Sequence, residues 1–171
     1  MSMAAPPPIL IAGGGIGGLA LALAWAQRGR GSLVLEQRET FATAGAGIQL
    51  GPNGVRVLQH LGVADALRPL AGEPACIRVR DGRTAHTLAE LPLGGWIAER
   101  HGAPYWVAHR ADLHGALLTA ATAEPRITLR PGFAVASVEQ TGEGVQATSA
   151  GGEAIAGCAL VGADGLWSSV R

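Results

Sequence analysis

Apolar residues in this chain come in short runs separated by glycine, and the spacing inside the runs changes along the sequence. Ile9–Ala12 is an unbroken ILIA run ending at glycine, as expected of a parallel strand buried on both faces. From Ile16 onward Leu19, Ala20, Leu23, Ala26 and Gln27 recur at three- and four-residue spacing, and the pattern stops at Arg28-Gly29. This predicts a helix with a basic last turn and a glycine after it. Ser32–Leu35 predicts a second apolar strand, followed at once by Glu36-Gln37-Arg38. Strand, glycine turn, helix and strand in so short a stretch make a tight βαβ unit.

Further on, Pro52-Asn53 opens a predicted helix with Val55, Leu58 and Leu61/Gly62 on one face. Residues 76–109 read as irregular strands, in the segments CIRVRDG, TAHTLAEL and YWVAH. Helical spacing returns over Arg110–Ala123, with Leu113, Leu117 and Ala120 in register. The remainder, from Ile127, predicts strands punctuated by PG, TGEG and AGG turns, an antiparallel meander whose last strand is Ala159–Gly162. Residues 1–8 read as a proline-stiffened tail, and no linker or repeat divides the chain.

Length and charge narrow the classes of function. A chain of 171 residues is sized for one domain with a real core. Its formal net charge of zero implies no basic face for nucleic acid or an anionic membrane. Ile9 to Ala26 carries no charge, which touches the length of a membrane span, but glycines interrupt it and no Lys or Arg precedes it. A soluble cytoplasmic protein is expected. Cys76 and Cys158 lack metal-type spacing and read as buried free thiols in a reducing compartment. The scattered histidines suggest no metal site.

Within GGGIGG, Gly13, Gly15 and Gly18 meet the G-x-G-x-x-G spacing. Gly13 suits a tight turn, Gly15 allows backbone to approach a diphosphate, and Gly18 lets the helix pack closely on the sheet. The helix N-terminus presents unpaired amides to phosphate oxygens. Glu36, at the end of the second strand, is placed to accept hydrogen bonds from ribose hydroxyls and to repel a 2′-phosphate. An adenine dinucleotide is expected, NAD or FAD.

Three segments decide between them: IAGGGIGGLALALAWAQRG…VLEQR, then GAGIQLGPNGVRVLQHLG with HRADLHGALL, and finally VGADGLWSSVR. Together they resemble the FAD-dependent aromatic hydroxylases, single-component flavin monooxygenases of the salicylate and 3-hydroxybenzoate hydroxylase type. The last segment matches that family's pattern at Gly162, Ala163, Asp164, Gly165, Ser168, Val170 and Arg171. The resemblance implies an α/β, Rossmann-like FAD-binding domain over residues 1–171, with a parallel sheet, crossover helices and an antiparallel β-meander. It carries cofactor contact onto Gly13, Gly15, Ile16, Gly18, Glu36, Gln37, Gly47, Ile48, Arg110, Asp164 and Gly165. Gly45–Ile48 would be a loop passing the flavin side. Arg110, at a strand-to-helix junction, would reach the ribityl or diphosphate; a surface ion pair with Asp112 is its plainer role. Asp164 would organise its turn, doubling as N-cap of a helix starting at Leu166, with Ser168 and Arg171 as braces. Trp96, Tyr105 and Trp106 read as packing residues.

The resemblance further implies NADH or NADPH as electron donor, dioxygen as oxidant and a small aromatic, commonly phenolic, substrate. The cofactor carries the chemistry; no side chain stands out as a catalytic acid or base, and no G-x-S-x-G elbow is present. A second FAD signature, a Gly-Asp motif, and the sheet that covers the substrate are expected beyond Arg171. The chain therefore reads as incomplete by itself, with association to cover exposed apolar surface. Alternatives are a halogenase- or prenyl-reductase-type flavoprotein of the same fold, a non-catalytic dinucleotide-binding module, and a plain NAD dehydrogenase that leaves VGADGLWSSVR without a purpose.

Overall fold

The computed structural model describes residues 7–41 and 45–170; residues 1–6 of the expected tail, and Arg171, lie outside them. Two compact units result, one of Met1–Thr43 with Leu117–Arg171 and one of Ala44–Ala116.

The first unit is built on β1 (Ile9–Ala12), every residue of which is buried. Helix α1 (Ile16–Ala26) carries the chain across to β2 (Ser32–Leu35), which pairs parallel to β1. Far along the sequence, β11 (Ala159–Gly162) pairs parallel to the other edge of β1, and β7 (Ile127–Arg130) pairs parallel to β2. The sheet order is β11-β1-β2-β7. Alternation sorts the neighbours of β1. Ile11 turns toward α1, where a Cβ on Gly18 would lie 3.3 Å from its Cγ2. Leu10 turns the opposite way, into a core with Leu35, Phe133 and Ala147. That core is covered by the antiparallel strands β8 (Val135–Thr141), β9 (Gly144–Ser149) and β10 (Ala154–Gly157).

The meander is thus β8 to β10 alone. The strands flanking it, β7 and β11, belong to the parallel sheet. Helix α1 also stops earlier than its spacing suggests: Arg28 and Gly29 lie past its end, in a turn bonded to Trp25 O and Ala26 O. Its buried face is Gly18, Leu19, Ala22, Leu23 and Ala26, with Ala22 taking the place foreseen for Ala20. Pro8 is pinned, since its carbonyl accepts a hydrogen bond from Cys158 N at 3.0 Å.

The second unit pairs β3 (Gly47–Leu50) antiparallel with β6 (Trp106–His109) and contains a hairpin of β4 (Cys76–Arg80) and β5 (Thr87–Pro92). Helix α2 (Pro52–His60) begins with proline in its first turn, where a missing N–H costs nothing, and buries Val55 and Leu58 as its spacing requires. It leads to α3 (Ala64–Leu67) and a 3₁₀ turn at Arg68–Leu70. A fourth helix, α4 (Gly94–His101), lies where strands were expected. Its two opening glycines hide the start, but Arg100 and His101 in the last turn and left-handed Gly102 after it mark the end. Helix α5 (Arg110–Ala123), whose residues from Leu117 onward belong to the first unit, has the expected bounds and buries Leu113, Leu117 and Ala121, a spacing of four that replaces Ala120. Trp106 is buried and donates to Glu73 Oε1 at 2.9 Å, whereas Trp96 is exposed beneath the Arg100 guanidinium.

Neither free cysteine is buried as expected: Cys76 is half-buried and Cys158 exposed. Both sit where backbone pairing, rather than a core, surrounds them. Among the described residues no helix is long and apolar enough to cross a membrane, and no cluster of His, Cys, Asp or Glu is placed to hold a metal ion.

Candidate functional site

Register builds the site. In the first unit Ala12 lies level with Leu35 on one side and Gly162 on the other. The next residues along the three strands, Gly13, Glu36 and Ala163, therefore leave the sheet at one edge, its carboxyl end. The order β11-β1-β2 means that the chain reverses direction of travel beside β1, and such a switch point opens a crevice between the loops.

Each glycine of the first loop meets a different constraint. Gly13 has φ +107°, a conformation open to few other residues, and a Cβ on it would strike the backbone of Ala163 and lie 2.9 Å from the Asp164 Cα. Gly18 has the Gly13 carbonyl where a Cβ would be. Gly15, in contrast, has nothing within 4 Å of its Cβ position and an ordinary φ of −78°. Steric crowding accounts for Gly13 and Gly18, but not for Gly15. The space beside it is a cradle that a side chain would fill, which fits a ligand approaching the backbone. Leu19 N is bonded back to Gly15 O, so the amides of Ile16, Gly17 and Gly18 precede the ladder and point along the axis out of α1. No acidic residue occupies that first turn to compete for them.

Glu36 closes the next side. Its Oε2 accepts from Gly14 N at 2.9 Å and its Oε1 from Arg38 N at 3.0 Å. Its backbone carbonyl accepts from Phe133 N, and that of Arg38 from Gly132 N. Gln37 is exposed beside it.

Asp164 turns its carboxylate into its own loop. It accepts from Ser168 Oγ and Ser169 N, both at 2.7 Å, and from Val170 N at 3.3 Å. The expected helix from Leu166 is absent; residues 166–170 form turns around the carboxylate instead. Gly165 supplies the φ of +82° that starts them. Gly162, Asp164, Gly165, Ser168 and Val170 line an open depression there. Partial burial is the largest single influence on the Asp164 carboxyl and opposes its charge. The hydrogen bonds from Ser168, Ser169, the residue's own amide and Val170 together outweigh it and hold the pKa below the ordinary 3.8. A lowered native pKa stabilises the turn above the ordinary aspartate value, and that stabilisation is lost as pH falls through the depressed one. The Ser169 amide resonance is therefore expected to titrate with a midpoint below 3.8, and the step should vanish in Asp164→Asn. A midpoint above 3.8 would contradict this geometry.

The remaining sequence-derived residues belong to the second unit. Gly47 and Ile48 are not in a loop; they form the first half of β3, opposite His109 and Ala108. Arg110 begins α5 directly after β6, donates its amide to Ala46 O at 3.2 Å and lays its stem against Gly45. Among the described residues no ion pair joins it to Asp112. Two participants in the first unit went unread in the sequence: the Gly14 amide that meets Glu36, and the Phe41 ring that packs on Gly14. Neither contact carries a signal in residue spacing.

Known proteins resemble this chain along nearly its whole length. Residues 7–171 match the family described as FAD binding domain. The 3-hydroxybenzoate 6-hydroxylase 1 of Aquipseudomonas alcaligenes is 42% identical over 163 residues, covering 95% of this chain and 41% of that protein. The tetrameric form of 2-methyl-3-hydroxypyridine-5-carboxylic acid oxygenase superposes with a TM-score of 0.84 at 27% identity, over 98% of this chain and 42% of the other. A variant of Klebsiella pneumoniae HpxO complexed with FAD gives a TM-score of 0.81 at 28% identity, covering 95% and 41%. The chain spans about two fifths of the length of the curated relatives it matches.

Proposed function

The chain belongs to the FAD binding domain family, and on that premise we propose that it forms the dinucleotide-holding part of an NAD(P)H- and O₂-dependent hydroxylase of small aromatic acids. In this reading residues 1–171 are one functional domain, and the activity belongs to a longer assembly that also encloses the substrate. The aromatic acid is suggested by the relative named for 3-hydroxybenzoate. FAD, when bound, supplies the redox chemistry that passes reducing equivalents from the nicotinamide to oxygen. The protein's part is to bind, orient and shield.

The residues divide that work. The amides of Gly15, Ile16 and Gly18 meet the diphosphate, aided by the positive end of α1. Glu36, with Gln37 beside it, takes the adenosine ribose. Asp164 spends its charge on amides of its own turn, which lets an aspartate stand near phosphates and shapes the Gly165 backbone toward them. Gly47, Ile48 and Arg110 serve the ribityl and flavin end, with Arg110 as the cation. No residue is assigned as a catalytic acid or base.

One observation carries the reading: the unfilled space at Gly15 beside unladdered helix amides, with Glu36 and Asp164 at the same sheet edge. Gly15→Ala tests it, because alanine fits the backbone there. FAD affinity is expected to fall about tenfold, or ~1.4 kcal/mol, while the melting temperature stays within about 2 °C, as for a site with open space at the Cβ position and no backbone strain. Undiminished affinity would overturn the diphosphate assignment. The parent preparation should be yellow and release FAD on denaturation.

A further inference from the structure

We propose that Phe41 is a positioning residue of the adenosine site, which fixes the Glu36 carboxylate so that it selects a ribose bearing a free 2′-hydroxyl. The inference rests on the ribose role of Glu36 proposed above and extends it to a residue that no motif marks. Phe41 Cδ1 and Cε1 fill the side of Gly14 from which a Cβ would project, and Glu36 Oε2 flanks that same point at 3.2 Å. The ring therefore lies against the peptide whose N–H donates to Glu36. An apolar ring there excludes water from one side of a charge-assisted hydrogen bond, which strengthens it.

The consequence is orientation. A carboxylate has about four acceptor positions; Gly14 N takes one on Oε2 and Arg38 N takes one on Oε1. Those two bonds set the carboxylate plane, and the plane sets where the remaining lone pairs point. Without the ring, water competes for Gly14 N, the carboxylate gains torsional freedom, and a hydroxyl donor meets a less ordered acceptor. The main chain of Glu36 and Arg38 is held independently, by Phe133 N and Gly132 N. Loss of the ring should thus disturb the side chain of Glu36 without dismantling the strand end.

Two measurements test this. In the ligand-free chain, amide exchange at Gly14 should quicken at least about tenfold in Phe41→Ala and return within about threefold of the parent in Phe41→Leu, with β1 amides unchanged. These factors are set by loss and partial restoration of local shielding. Calorimetric titration with ADP and 2′-deoxy-ADP forms the second arm. The parent should prefer ADP by roughly fivefold, the scale of one hydrogen bond, and in Phe41→Ala the preference should shrink to below about twofold. General loosening would weaken both nucleotides together and leave their ratio intact, so an unchanged ratio overturns the proposal, as does unchanged Gly14 exchange. Failure of the parent to bind either nucleotide would instead overturn the ribose reading of Glu36, and the claim of 2′-hydroxyl selection with it.

Discussion

Gly13→Ala is expected to lower stability by about 3 kcal/mol, the combined effect of a side chain in a left-handed conformation and a backbone collision. At this chain length that corresponds to a drop of roughly 6–12 °C in melting temperature. The reason is local and can be traced atom by atom. Gly13 sits at φ +107°, and its missing Cβ leaves room for the Ala163 carbonyl and the Asp164 Cα. Ala163 N donates to Ala12 O at 2.7 Å and Gly13 N to Leu35 O at 2.7 Å, so the turn is tied to both neighbouring strand ends and has little freedom to relax. Alanine would push the 163–165 loop away from the first glycine turn and separate the two halves of the cradle. FAD retention should fall with stability, unlike Gly15→Ala, where only binding changes. A thermal scan by circular dichroism of both variants makes the comparison; equal melting temperatures would refute the packing described between these loops.

Glu36→Arg is expected to weaken FAD binding about a hundredfold, ~2.7 kcal/mol, measured by quenching of flavin fluorescence. The substitution removes acceptors for ribose hydroxyls, where hydrogen bonds to a charged group contribute about 1.5–3 kcal/mol. It also removes an acceptor from Gly14 N and from Arg38 N and so loosens the glycine loop. Glu36→Gln should weaken binding less, since its amide oxygen can still accept from one of them. An affinity for FAD unaltered by Glu36→Arg would remove Glu36 from the site.

The βαβ unit was legible because each of its features is local. ILIA and SLVL are short, wholly apolar runs, the helix between them repeats at three and four, and the glycine spacing sits at the junction. Helix α5 and strand β11 were equally readable, and their bounds agree with the structure. Residues joined only through long-range pairing were harder. ITLR in β7 alternates like any half-buried strand, and nothing inside it says that its partner is β2 in parallel and not β8. Helix α4 begins with two glycines, which local propensity counts against a helix. Asp164, just ahead of Gly165, reads as a helix cap, yet its carboxylate gathers the hydroxyl four residues on and the amides five and six residues on, and closes turns instead. At the site itself, the residue types marked the candidate groups. How Glu36 is oriented depends on a side-chain rotamer and on a ring five positions later, and periodicity is silent on both.

The pairing of Ile9 with Ala159 sets an order of events during synthesis. Translation delivers the amino-terminal strand first, and at 5–20 residues per second the strand 150 positions later follows after roughly 8–30 s. Until then one flank of β1 is an exposed apolar edge, and the first glycine turn has no Ala163 to lean on. On the proposed assignment of the site the crevice lacks one wall through that interval, so loading with flavin is expected only after Ala159–Gly162 has paired. Whatever shelters nascent chains has to guard that edge until then.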